Sequence, residues 1–294
     1  MTPRLRAELV LLGVTLAWGG SFLVVKDTLG TLAPFQLIAL RFALAVVALA
    51  AVFGRGALRL GRDAAGRLPW RAALAIGLLL WAGFALQTLG LQHTTPARSG
   101  FITATYVAMV PLLTRVISGR PLRKRVVAAV GAALLGLYLL TDPDRGGVNR
   151  GDWLTLLGAL AFAGHMLALD RGARAMPAPA LAFAQMVVVA GVALPFALAE
   201  SGASGALSGR SLVALGYLGL ICSAAGFLGQ TWGQRSSSPV RVGLIFSLES
   251  LFAALLSVAI GMEVLTPLQW AGGLLLVAGV VVGELPDAET APAT

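Results

Sequence analysis

The sequence predicts an all-α integral membrane protein, with ten transmembrane helices arranged as two inverted five-helix repeats. Three observations carry that expectation. First, the chain is 57% apolar and only 12% charged, with a mean hydropathy of +0.85. A soluble chain would be roughly a quarter charged. Second, residues 82–100 and 225–243 match without a gap at Ala82/Ala225, Gly83/Gly226, Phe84/Phe227, Gln87/Gln230, Thr88/Thr231, Gly90/Gly233, Pro96/Pro239, Arg98/Arg241 and Gly100/Gly243, all at the spacing 226 − 83 = 143. Third, the loops after the matched stretches differ in charge. Ser118–Arg125 holds Arg120, Arg123, Lys124 and Arg125, whereas its counterpart Gly261–Leu268 has no base and one acid. Cytoplasmic loops carry the excess of Lys and Arg, so the two loops belong on opposite sides of a bilayer.

Ten apolar runs are long enough, or nearly so, to cross a hydrocarbon core of about 30 Å: residues 8–27, 34–53, 72–91, 97–117, 125–141, 153–170, 178–199, 211–234, 240–261 and 266–284. The first aligns with the sixth at a spacing of 145, through Gly13/Gly158, Gly19/Gly164 and Lys26/Arg171. The second and seventh open on Pro34 and Pro179. The third and eighth share Gln-Thr-x-Gly, and the fourth and ninth share Pro-x-Arg-x-Gly. The fifth and tenth align at Gly136/Gly279. Several runs are short for an upright helix, which points to irregular ends. The first repeat is placed at 8–141, a polar joint at 142–152, the second repeat at 153–284, and an acidic Ala/Pro-rich tail, expected to be disordered, at 285–294. The run Leu9–Val25 lacks a small-residue cleavage site and is read as a retained span rather than a signal peptide.

Orientation follows from the bases. With the N-terminus inside, 16 of the 22 Lys and Arg residues fall on the inner side, and Lys26, Arg41, Arg98, Arg145, Arg150 and Arg210 do not. Both termini are therefore expected in the cytoplasm. Five spans per half is an odd number, so inversion also follows from counting. Inverted repeats are the construction of secondary transporters. The net charge of +9 and pI near 11.1 do not indicate a nucleic-acid partner, because the bases lie between apolar runs and no soluble domain carries them. Cys222 stands alone in an apolar run, so no intramolecular disulfide forms and the redox compartment stays open.

WGGSFLVVK (Trp18–Lys26), LRFALA (Leu40–Ala45), PARSGFITATYVAMVPLL (Pro96–Leu113) and LESLFAALLSVAIGMEVLTPLQWAGG (Leu248–Gly273) resemble the ten-helix EamA-type branch of the drug/metabolite transporter superfamily. The resemblance covers about residues 8–284 and rests on the order and spacing of motifs that are individually loose. It implies a basket in which helices 1–4 and 6–9 surround a central cavity while helices 5 and 10 lie at the periphery. It also implies export of amino acids or other small metabolites across a bacterial inner membrane. One departure is visible: Glu263 keeps the acid the family often carries after the fourth helix of each half, whereas Gly119 is followed by Arg120.

Glu249 carries the most weight among the candidate residues. It lies nine positions past Val240, roughly 14 Å into the bilayer at about 1.5 Å per residue. A carboxylate at that depth needs a cavity, a partner or a proton. It either binds a substrate ammonium and exchanges the coupling proton, or locks helix 9 to the bundle. Its repeat-mate is Tyr106. Arg41, about seven residues into helix 2, cannot readily lose its charge. A tether to a neighbouring helix is the first reading, and a ligand for a substrate carboxylate or phosphate the second. Lys26 and Arg171 are read as anchors at the mouths. His165 is read first as a helix–helix hydrogen bonder and second as a proton relay. Gln87 and Gln230, at equivalent places, suit interhelical hydrogen bonds. Trp18, Trp81, Tyr106 and Phe246 would form an apolar cavity wall, whereas Trp70, Trp153 and Trp270 read as interfacial. Gly229/Gly233 and Gly279/Gly283 suit close helix packing, the latter pair also a homodimer through helix 10.

Lys26 and Lys124 lack a Walker A loop, and no HExxH, GxSxG or cysteine cluster is present. No cofactor is expected, and the partners are a small-molecule substrate and membrane lipids. Asp142, Asp144 and Asp152 are read as a solvated turn rather than a divalent-cation site. The leading expectation is an alternating-access exporter of a small polar metabolite such as an amino acid. A passive facilitator of the same fold and an intramembrane lipid-modifying enzyme are the alternatives.

Overall fold

A computed structural model describes residues 2–60, 70–119, 121–141, 148–200, 208–259, 261 and 264–284. Glu263, Arg120, Asp142, Asp144 and the 285–294 tail lie outside the described residues. Within them every regular element is helical: α1 (Pro3–Gly19), α2 (Ser21–Thr28), α3 (Pro34–Leu60), α4 (Trp70–Leu91), α5 (Pro96–Ala104), α6 (Tyr106–Ser118), α7 (Lys124–Thr141), α8 (Arg150–Ala175), α9 (Ala178–Ala199), α10 (Gly209–Gly216), a π-helix (Tyr217–Ala225), α11 (Gly226–Gly233), α12 (Pro239–Ser247), α13 (Glu249–Ala259) and α14 (Pro267–Glu284). Eight spans, several of them built from consecutive helices, are long and apolar enough to cross a membrane, and Pro267–Gly283 is a shorter apolar helix. Large side chains such as Val116, Leu198, Leu212 and Leu274 face outward. So much exposed apolar surface is foreign to a monomer in water and belongs in lipid. The chain is a membrane protein.

Helix starts follow from short-range chemistry. A hydroxyl cap precedes a proline, which lacks the N–H that a first turn would leave unpaired. Thr2 accepts from Leu5 N before Pro3. Thr95 accepts from Arg98 N before Pro96, and Ser238 from Arg241 N before Pro239. Asn149 and Asp152 form a reciprocal capping box on α8. Asp152 also takes the Arg98 guanidinium at 2.8 Å and the Thr94 hydroxyl at 3.0 Å. It is only 5% exposed, so this acid is a buried fastener between α8 and the start of α5 rather than part of a solvated turn.

Three of the predicted spans are interrupted. Span 8–27 breaks at Gly20, between α1 and α2. Spans 97–117 and 240–261 break at Thr105 and Leu248, where the cap N–H turns back onto Ile102 and Thr103 in one and onto Ile245 and Phe246 in the other. The separation, 248 − 105 = 143, is the offset of the sequence match. A fourth span, Gly209–Gly233, stays continuous but changes to π register in the middle.

Packing between elements exchanges on swapping the halves. α4 lies on α8 as α11 lies on α1, and α4 lies on α9 as α3 lies on the π-helix. The counterparts α3 and α9 also touch each other, as do α7 and α14. Those counterparts run antiparallel. Gly136 of α7 meets Gly272 and Leu276, whereas Gly279 meets Ala129 and Ala133. At the other pair the first turn of α3 meets Glu200, just past the end of α9. The Glu200 carboxylate accepts from Phe35 N at 3.0 Å and Gln36 N at 3.1 Å, a charge well placed at a helix N-terminus. The glycines are where backbones approach. A Cβ on Gly136 would stand 2.5 Å from Leu276 N. Gly229 and Gly233 seat α1 through Val14 and Leu11, and Gly279 and Gly283 seat Ala129 and Leu244, so both GxxxG pairs pack within the chain.

Candidate functional site

Between the halves lies a cavity lined by Trp18, Ser21, Arg41, Phe84, Gln87, Thr103, Tyr106, Phe162, His165, Met166, Phe227, Gln230 and Glu249. The helix interruptions position several of these. Tyr106 and Glu249 are each the first residue after the break in their span, and Trp18 and Ser21 flank the break at Gly20. A broken helix offers backbone groups and re-aims side chains at mid-membrane depth, which is tolerated where the segment is buried in protein or lines a cavity.

The break in the first span is secured by the π-helix. The Trp18 indole N–H donates to the Cys222 carbonyl at 2.8 Å. The Tyr217 hydroxyl donates to the Ala17 carbonyl, and the Cys222 thiol approaches the same carbonyl at 3.6 Å. Trp18 is thereby held with its ring 5.1 Å from Phe227 and edge-on to Phe246 at 4.9 Å. Phe246 itself is fully buried behind Trp18 and does not line the cavity. Trp81 stands away from the cavity as well, stacked on Phe35 and Phe196. The other seven candidates from the sequence, Trp18, Arg41, Gln87, Tyr106, His165, Gln230 and Glu249, all line it.

Arg41 is 3% exposed. Its Nε donates to Ser223 Oγ at 3.0 Å, and its guanidinium stands 4.7 Å from the Phe84 ring centre and 5.2 Å from that of Phe42. Stacking on aromatic faces suits a planar guanidinium. Among the described residues neither Arg41 nor Glu249 forms an ion pair. One cavity thus holds an acidic and a basic side chain, neither with an ion-pair partner among the described residues. The Tyr106 hydroxyl faces the Glu249 carboxyl without reaching good hydrogen-bond geometry. Gln87 Nε2 donates across to Thr103 Oγ1 at 2.9 Å. His165 meets Gln185 at 2.7 Å, and Gln185 in turn reaches Thr231 at 3.2 Å, so one amide joins α8, α9 and α11.

Lys26 lies outside the cavity. Its ammonium collects the carbonyls of Leu91 at 2.6 Å and Thr94 at 3.0 Å, closing the C-terminal end of α4, where a cation is favoured. Asp27 pairs with exposed Arg210 nearby. Phe84, Phe162, Phe227, Ser21, Thr103 and Met166 complete the lining. Phe84 and Phe227 were within reach of sequence reasoning, since they are a matched pair one turn before Gln87 and Gln230 and share their face.

A polytopic helical membrane protein with a charged, aromatic-walled cavity between two matched halves has the build of a solute carrier. The chain belongs to the EamA-like transporter family, whose profile matches it twice, over residues 5–142 and 149–283. It is 31% identical to an uncharacterized transporter of Archaeoglobus fulgidus, over 96% of this chain and 87% of the relative. It is 29% identical to the uncharacterized inner membrane transporter YedA of Escherichia coli K12, over 95% and 92%, and 23% identical to the uncharacterized transporter YyaM of Bacillus subtilis, over 95% and 94%. A solved crystal structure superposes with a TM-score of 0.80 at 20% identity, covering 95% of this chain and 96% of the other. That likeness bears on the fold alone.

Proposed function

We propose that the protein is a secondary transporter of the bacterial inner membrane, exporting a small polar metabolite such as an amino acid by alternating access. The observation that carries this reading is that one cavity between the halves is lined by both a base, Arg41, and an acid, Glu249, neither in an ion pair among the described residues. Such burial is costly in a membrane unless water or a ligand answers each charge, and a zwitterion answers both. The antiparallel run of α3 against α9 and of α7 against α14 supports two inverted five-helix repeats. Ten spans result once α7 and α14 join the eight longer ones. The distribution of Lys and Arg supports cytoplasmic termini. If a second copy binds through α14, its glycine face is already taken by α7 and α12, so pairing would use the outward Leu274, Val277 and Val281.

Efflux from loaded proteoliposomes across a panel of amino acids and related metabolites, with and without a pH gradient, tests the reading. Accumulation against a gradient that responds to pH is expected. Flux that never exceeds equilibration and ignores pH would instead favour a passive facilitator.

A further inference from the structure

Two buried relays set the direction of hydrogen bonding at two residues of the cavity wall, Gln230 and His165. Gln234 Nε2 donates to the Met166 backbone carbonyl at 3.0 Å. A carbonyl only accepts, so the Gln234 amide can sit only one way round, with Oε1 toward Gln230. Gln230 Nε2 donates to that oxygen at 2.9 Å. The remaining Gln230 oxygen is buried with no partner, on a side chain that lines the cavity. The second relay runs in the same sense. The Thr231 hydroxyl proton is committed to the Phe227 carbonyl at 2.6 Å, so Thr231 Oγ1 accepts from Gln185 Nε2 at 3.2 Å. Gln185 Oε1 then faces His165 Nε2 at 2.7 Å and takes its proton. An imidazole protonated on Nε2 keeps Nδ1 as an acceptor.

We infer that Gln230 Oε1, His165 Nδ1 and the Glu249 carboxylate form a receptor for a primary ammonium group, with Gln234 and Gln185 as positioning residues. The inference rests on the transporter reading above. An ammonium carries three donors and no acceptor, which matches three acceptors on one cavity. The adjoining wall of Phe84, Phe162 and Phe227 takes the apolar body of the solute. A trimethylammonium group of the same charge could use the aromatic faces but would leave the Gln230 and His165 acceptors unanswered, at a cost for each buried one.

Competition against tritiated phenethylamine on purified protein in nanodiscs tests this. Phenethylamine should bind at least about tenfold tighter than N,N,N-trimethylphenethylammonium, since hydrogen bonds from a charged donor are worth that much each. Gln234→Leu releases the Gln230 amide and should shrink the ratio about tenfold. Gln230→Leu should do the same, keeping the test open if the first variant fails to fold, while Gln230→Glu keeps an acceptor and should hold the preference. Equal binding of the two cations, preference for the trimethyl compound, or no binding of phenethylamine overturns the inference. L-phenylalanine is the separate arm: if phenethylamine binds selectively and L-phenylalanine does not, the ammonium receptor stands and the amino-acid reading falls.

Discussion

Tyr106 and Glu249 stand 143 residues apart, each the first residue after the interruption of its span, and both line one cavity. The repeat therefore delivers a phenol and a carboxyl to matching places. The two matched positions carry different chemistry, and only one of the two groups can hold a full charge in ordinary conditions.

Glu249→Gln keeps shape and hydrogen bonding while removing titration. The variant is expected at near wild-type folded levels, with uphill efflux reduced at least about tenfold and its pH profile flattened. Downhill exchange should persist if Glu249 couples protons, and fall too if it holds the substrate ammonium. Wild-type uphill efflux with an unchanged pH profile would reduce Glu249 to a structural residue. Tyr106→Phe, which removes only the hydroxyl facing it, should shift the pH profile without abolishing transport.

Arg41 is a sharper test of the substrate's other end. The sequence favours a tether, and the bond from Arg41 to Ser223 does join α3 to the π-helix, but among the described residues the guanidinium otherwise meets only two aromatic faces and no carboxylate. A buried charge without a counter-ion is a burden on stability, and an apolar residue of similar volume is often neutral or better. Arg41→Met should therefore leave the folded yield intact. Affinity for carboxylate-bearing solutes should fall about tenfold or more, with amines that lack a carboxylate little affected. Loss of folded protein with affinity retained in the remainder would return Arg41 to the tether.

The parts of this fold that were legible in the sequence are those set by neighbours along the chain. Thr95-Pro96 and Ser238-Pro239 announce helix starts by local chemistry, and the 143-residue offset needs only comparison of the chain with itself. The breaks at Thr105 and Leu248 were not legible, because no glycine or proline stands at either to mark a helix end. The relays were hidden for a different reason. Gln185 and Gln234 sit amid apolar or loop-like sequence, and their meaning depends on Met166 and Thr231 arriving from other helices. Asp152 was misread for the same cause: its partner Arg98 lies 54 residues earlier, at the start of α5, with α6 and α7 between them.

The contact of α7 with α14 is built on backbone approach and should be intolerant of bulk. A Cβ at Gly136 would lie 2.5 Å from Leu276 N and 2.7 Å from Gly272 O, atoms that cannot step aside without moving a helix. Gly136→Leu should cost about 3 kcal/mol or more, beyond ordinary overpacking, read as a lowered thermal midpoint in detergent. Gly131, on the same helix with open space around its Cα, is the control. Gly131→Ala should be neutral or gain up to about 1 kcal/mol from helix propensity. Equal tolerance at both positions would mean that the close approach does not hold the two helices together.

The orientation proposed for the two halves can be tested by side-specific labelling. Cys222 is the only cysteine and is fully buried, so the unmodified chain should be silent toward an impermeant thiol reagent. Single cysteines replacing Arg123, before α7, and Thr266, before α14, occupy corresponding ends of counterpart helices. α7 and α14 lie antiparallel against each other, so these two ends point to opposite faces of the assembly. The basic stretch around Arg123 assigns its end to the cytoplasm. In right-side-out vesicles the reagent should modify the Thr266→Cys protein and spare the Arg123→Cys protein until the membrane is permeabilised; in inside-out vesicles the order should reverse. Modification of both from one side would contradict the inverted repeat. Opposite-side labelling with the sides exchanged would keep the inversion and move both termini out of the cytoplasm.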